Sequence, residues 1–365
     1  GEMILVLDKS GSMYSRSGNT RPIDQVINAT KEVIRSLKPT DRLGVVCFHD
    51  HGELICPMTA GEAQQKLLDA VSKVPDVSGG LTDMTAGLKV AMQEAQRNTR
   101  DPRGVRFVVL TDGQASDPQE TLSYVKTLER QSIAAMGFGT FDFQFMNQVC
   151  APSQGLCKVL DVSNPDALRE DFLSEMNTAR NTVASNIRLH IEPTSFVRLK
   201  KAYVVHPHPT FLGDIAMGTS SRYTLELSIL DRVEGIQLIV DLDHTKREVE
   251  GEFDAARIVV TYDVPGLDLF EQSSEALVKV EYTSNERDVR ITNPNVKKAR
   301  DKGYDEELRV KYDQAKEAGY EDLAQDTLKK MEKSPNQKFA SMASEIREGK
   351  EVSSMDLEQE TRRKS

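Results

Sequence analysis

Asp8, Ser10 and Ser12 occupy alternate positions in LVLDKSGSM, where an apolar run stops at a carboxylate. In extended chain this spacing turns the three side chains to one side. Small neighbours let the backbone turn tightly and approach a ligand. A second aspartate, Asp112, ends another apolar run in VRFVVLTDGQAS, and Thr82 lies in the Gly-rich stretch GGLTDMTAGL. Together the five side chains offer two carboxylates and three hydroxyls. A donor set without thiolate or imidazole disfavours zinc and copper. It suits a hard cation: Mg²⁺, with Mn²⁺ and Ca²⁺ as alternatives. Two carboxylates neutralise a divalent ion, and neutral hydroxyls do little to quench its Lewis acidity. A remaining coordination position would attract one more anion, and the natural candidate is a carboxylate from a second protein.

Residues so distant in the chain meet only if the fold carries them to one edge. Over residues 1–182, strand and helix patterns alternate. MILVL and VRFVVLT read as strands buried on both faces, and Ile23, Val26, Ile27, Val33, Ile34 and Leu37 recur at helical spacing. The expected fold is α/β: a doubly wound, mostly parallel, Rossmann-like sheet with helices on both faces. Ligands of such sheets bind beyond the carboxyl ends of the strands, where strand order reverses. The five residues therefore converge if the strands ending at Asp8 and Asp112 are neighbours there. Residues 183–292 alternate apolar and polar positions, as in FVRLKKAYVVHP and ARIVVTYDV, and predict an antiparallel β-sandwich. Residues 293–350 are charged and helical. The echo ARDKGYDEE and AKEAGYEDL suggests two helices, each entered through a Gly-Tyr turn and paired on the sandwich. Residues 351–365 are expected to be a disordered tail.

DKSGSM, the turn at Thr82 and the TDG at Asp112 resemble the metal-ion-dependent adhesion site of von Willebrand factor type A domains. The three motifs stand in the family's order, and the resemblance covers about residues 1–180. It implies that Ser10, Ser12 and Thr82 coordinate the metal, with Asp8 and Asp112 acting directly or through water. It implies too that a partner's Asp or Glu completes the shell. Lys9, between Asp8 and Ser10, adds positive charge that would favour an acidic partner. The whole chain more loosely resembles bacterial proteins with an A domain, a sandwich and a helical tail.

The remaining features narrow the function. The chain has 365 residues and a formal net charge of −10, which disfavours a general nucleic-acid binder. No run is apolar enough to span a bilayer, and no signal peptide is visible. The expected compartment is the cytoplasm. However, GEMILVLD opens inside a strand, so upstream residues are expected to have been trimmed, which keeps secreted and periplasmic locations open. Four cysteines are too few for a disulfide scaffold. A two-residue turn at His51-Gly52 would set Cys47 opposite Cys56, either as a bridge or as two reduced thiols. His206 and His208 form a metal pair or an inter-strand loop. Met13 and Tyr14 pack in the core or line the rim a partner meets. Asp83 and Thr85 start a helix or support the metal. No Ser-His or Cys-His arrangement, P-loop or nucleophile elbow is present, so the chain is not expected to be an enzyme. Three functions follow: a metal-dependent protein-binding module; an adaptor for an AAA+ ATPase or a kinase–phosphatase pair; and, least favoured, a metal-dependent hydrolase.

Overall fold

The computed structural model describes all residues except 16–20, 75–79, 100, 113–114, 129–130, 138–140, 154, 156, 161–164, 207–208, 215–221, 234, 246–247, 290–292, 351 and 362–365. His208 therefore lies outside the described residues. By contacts the chain forms two units. The first holds Gly1–Ile187 with Leu227–Val233 and Tyr262–Gln272, and the second holds the rest.

The first unit contains β1 (Glu2–Asp8), α1 (Pro22–Ser36), β2 (Arg42–Phe48), β3 (Gly52–Ala60), α2 (Gln64–Val71) and α3 (Met84–Asn98). It continues through β4 (Arg106–Thr111), α4 (Pro118–Thr127), β5 (Ile133–Gly137), α5 (Phe143–Cys150), β6 (Cys157–Val159) and α6 (Pro165–Asn181). Its sheet runs β3-β2-β1-β4-β5-β6. All neighbours are parallel except the β2–β3 hairpin. This is the doubly wound α/β sheet the sequence predicts.

The strand patterns explain the two layers of helices. In β1, Met3, Leu5 and Leu7 face a core built with α1, α2 and α6, including Val33, Leu67 and Phe172. Ile4 and Val6 face the opposite core, with Leu88 of α3, Val125 of α4 and Val149 of α5. Successive strand residues point to opposite faces, so a strand covered twice must be apolar throughout. Within this unit Arg103 also bridges two buried carboxylates, Asp101 at 2.7 Å and Asp263 at 3.1 Å. Ser185 donates to Asp101 at 2.8 Å and Asn186 to Asp263 at 2.9 Å.

The hairpin departs from expectation. Phe48 pairs with Gly52, Cys47 with Glu53, and Val45 with Cys56, with register shifts on either side of Val45. Cys47 and Cys56 are thus not opposite, and all four cysteines are free and buried. Gly52 opens β3 instead of forming the turn. A Cβ there would meet the Ala86 carbonyl oxygen at 2.4 Å, so glycine lets α3 close onto the strand.

The remaining strands are β7 (Thr182–Pro193), β8 (Val197–His206), β9 (Thr210–Asp214), β10 (Tyr223–Asp231), β11 (Gln237–His244), β12 (Gly251–Val264) and β13 (Leu269–Tyr282). They form two sheets, β10-β7-β12-β13 and β11-β8-β9. Leu189, Ile191 and Ala256 from the first meet Leu199, Val240 and Leu242 from the second in one apolar cluster. This is the expected sandwich core.

The C-terminal helices are α7 (Glu286–Val289), α8 (Pro294–Glu317), α9 (Glu321–Met331), α10 (Gln337–Arg347) and α11 (Ser354–Thr361). Here two expectations are corrected. Gly319 does terminate a helix, at φ +72°, but Gly303 lies inside α8. It is glycine because a Cβ would come within 2.9 Å of the Tyr203 ring on β8. In an exposed helix interior, glycine-to-alanine stabilises by about 1 kcal/mol. At this contact we expect Gly303→Ala to destabilise the chain instead, measured by urea unfolding; a gain in stability would disprove the packing constraint. The second correction concerns residues 351–365. Ser354–Thr361 is helical, and Leu357 is fully buried in a cluster with Leu308, Leu328 and Phe339.

Candidate metal centre

Four of the five predicted residues are joined in one hydrogen-bonded chain. β1 and β4 are parallel neighbours, with Leu7 opposite Leu110, so both strands deliver their aspartates to the same edge. This is where the order reverses, since β2 follows on one side of β1 and β4 lies on the other. The backbone N–H of Ser10 donates to Asp8 Oδ1 at 2.7 Å. Ser10 Oγ and Ser12 Oγ are 3.1 Å apart, and Ser12 Oγ donates to Asp112 Oδ1 at 2.7 Å. The alternate spacing of DKSGS thus places its hydroxyls between two carboxylates that are 104 positions apart in the sequence (112 minus 8).

Thr82 arrives from a different loop, and backbone bonds hold it in place. Its N–H donates to Ser116 Oγ at 2.9 Å, and its carbonyl accepts from the Ser116 N–H at 3.0 Å. The next residue, Asp83, donates its N–H to the His49 carbonyl at 2.7 Å. Asp83 caps α3, accepting from the Ala86 N–H at 2.9 Å. Thr85 Oγ1 lies 3.0 Å from Thr121 Oγ1, in a buried contact between α3 and α4. Both residues therefore do structural work for α3.

Two supporting residues escaped the sequence reading. Thr111 donates from Oγ1 to Asp8 Oδ2 at 2.5 Å, and Ser116 anchors the Thr82 loop. Their signal was slight: Thr111 directly precedes Asp112, and Ser116 follows it by four positions, among residues that look like solvated loop. Lys9 does not act as expected. It is 5% exposed, its N–H donates to the Phe48 carbonyl at 2.8 Å, and its ammonium lies 3.5 Å from Glu53. Its charge is turned into the domain, away from a partner. Met13 is fully buried in the core, while Tyr14 donates to the Val74 carbonyl at 3.2 Å. Leu81, which adjoins Thr82, is 59% exposed, and its N–H is held by Asp50 at 2.7 Å.

The electrostatics favour a cation. Asp8 is fully buried, and burial pushes its carboxyl up to about 6, with Ser10 and Thr111 pulling the other way and Asp112 adding repulsion. Burial also raises the Asp112 carboxyl, against the hydrogen bond from Ser12. Among the described residues no cationic side chain bonds Asp8. Two buried carboxylates among hydroxyls fit a divalent cation with oxygen ligands. Among the described residues no cluster of three or more His, Cys, Asp or Glu side chains could hold a metal.

The doubly wound sheet of the first unit has the fold of von Willebrand factor type A domains. Residues 3–114 match the family model described as von Willebrand factor type A domain, so this segment of the chain carries a domain of that family. Two solved structures are similar along almost the whole chain. One, described as von Willebrand factor type A from Catenulispora acidiphila, has TM-score 0.76 and 15% identity, covering 98% of this chain and 88% of its own. The other is the ArnB paralog VWA2 from Sulfolobus acidocaldarius, with TM-score 0.55 and 11% identity, covering 99% of this chain and 87% of its own. At these identities the likeness speaks to the fold alone. No curated protein matches the chain in sequence. Among the described residues no helix is long and apolar enough to cross a membrane.

Proposed function

We propose that residues 1–182 form a metal-dependent protein-binding module and not an enzyme. In this reading Asp8, Ser10, Ser12, Thr82 and Asp112 hold Mg²⁺, and an Asp or Glu of a partner completes the shell. The supporting observation is the fully buried Asp8 carboxylate, linked to Asp112 through the Ser10 backbone N–H and the Ser10 and Ser12 hydroxyls and lacking a cationic partner among the described residues. A bound divalent ion would supply the missing positive charge and a Lewis-acidic position for a third carboxylate. The chain's own groups do the rest. Thr111 and the Ser10 amide fix the orientation of Asp8, Ser116 fixes the Thr82 backbone, and Leu81 offers apolar surface next to the site.

The test is affinity capture on the immobilised full chain with Mg²⁺, followed by elution in chelator. A partner should elute, and replacing one of its acidic residues by Ala should abolish capture. Undiminished binding in excess chelator would refute the reading.

A further inference from the structure

We propose that the groove between α8 and α9 is a docking surface for an acidic amphipathic helix of a partner protein. The groove lies wholly in the second unit and is independent of the metal centre. Its volume is 670 Å³. The two helices pack through Leu308, Ala315, Ala324 and Leu328, which are buried. Beside that seam the groove exposes Tyr304 at 42%, Tyr320 at 64% and Leu323 at 53%. Three large apolar side chains gathered in one concave strip mark a contact surface, whereas the same residues scattered singly would not.

The repeated Gly-Tyr dipeptide accounts for two of them. Gly303 lets α8 sit against Tyr203, which leaves Tyr304 on the open side. Gly319 ends α8 at positive φ and presents Tyr320 at the far end of the same groove. Leu323, Thr327 and Lys330 follow at i, i+4 and i+7 on α9, and all line the groove. That is the spacing of one helix face. At 1.5 Å per residue, the 11 residues of α9 run for about 16 Å, or three turns of a docked helix.

Charge identifies the occupant. The lining includes Lys201, Lys311 and Lys330 against one carboxylate, Glu307. Glu307 is already satisfied: Lys201 bonds it, Lys311 donates at 2.7 Å and the Tyr203 hydroxyl at 2.7 Å. The groove is therefore net positive on a chain of formal charge −10. A helix with leucines on one face and glutamates flanking them complements it, and a basic helix is repelled.

The probe is a synthetic, helix-stabilised peptide with leucines at i, i+4 and i+7 flanked by glutamates. One matched control carries lysines for the glutamates, and another carries serines for the leucines. Binding to the full chain is followed by fluorescence anisotropy in excess chelator, so the result is separate from the fate of the metal site. The acidic peptide should bind, and both controls should bind at least about tenfold more weakly, a difference of about 1.4 kcal/mol. Leu323→Glu and Lys330→Glu, both at exposed positions, should each weaken the acidic peptide, with the circular dichroism spectrum unchanged. Absence of binding, equal binding of acidic and basic peptides, or indifference to both substitutions would overturn the proposal. Self-association of the chain that Leu323→Glu abolishes would also overturn it, because a second copy would then be the occupant.

Discussion

Asp8→Asn should give a chain that ignores Mg²⁺ yet melts at a higher temperature than the metal-free wild type. The reason is the cost of a buried charge. In the folded chain burial holds the Asp8 carboxyl at about 6, against 3.8 ordinarily. Between about pH 4 and pH 6 the folded state therefore keeps a proton that the unfolded state releases. Stability of the metal-free chain rises as pH falls through that window and is lost as pH climbs. The difference amounts to about 3 kcal/mol at neutral pH. Asparagine is neutral throughout, so the variant should lack this pH dependence. Its amide can accept from the Ser10 N–H as Asp8 does, at 2.7 Å in the wild type. Mg²⁺ at about a hundred times its dissociation constant should add about 2.7 kcal/mol to the wild type and nothing to the variant. Thermal melts with and without Mg²⁺, at pH 5 and pH 7.5, read both effects. An equal rise in melting temperature on adding Mg²⁺ to the two proteins would refute the site.

The second large effect is expected far from the metal. Arg309 is buried in α8 and donates to Glu306 at 2.7 and 2.8 Å and to Asp313 at 2.8 Å, with Glu358 of α11 at 3.8 Å. Thr361 donates to Glu306 at 2.7 Å. Glu306 is 1% exposed and Glu358 3%. Arg309→Ala would remove the arginine that two buried carboxylates share, and the usual cost of breaking such a group is about 3–5 kcal/mol. Urea unfolding should show that loss, and limited proteolysis should cut α11 first. A loss under about 1 kcal/mol, with α11 still protected, would contradict the assigned role.

These two sites were not equally legible. β1 and β4 could be read directly, because a strand buried on both faces must be apolar at every position. The same logic placed Asp8 and Asp112 at strand ends, and the alternate spacing in DKSGS supplied the hydroxyls. The hairpin register could not be read. It depends on Gly52 yielding space to the Ala86 carbonyl, a contact with a helix more than thirty positions away. The two Gly-Tyr dipeptides look alike locally, yet one is a helix end and the other a packing contact with Tyr203. The last helix was missed for a related reason. Its composition is polar, and what orders it is Leu357 in a distant apolar cluster and Glu358 beside Arg309. Lys9 misled for the opposite reason, since its neighbours in sequence gave no sign of Glu53.

The loop bearing Thr82 keeps grip and recognition on separate residues. Thr82 is stitched to Ser116 through its own main-chain atoms, and the next residue, Asp83, to the His49 carbonyl, whereas the Leu81 side chain stands in solvent with its own backbone held by Asp50. Exchange of the side chain at position 81 therefore leaves the backbone bonds of Thr82 and Asp83 in place. On the proposed reading, a lineage could retarget this domain from one acidic ligand to another by changing that lip, with no renegotiation of the chemistry beneath it.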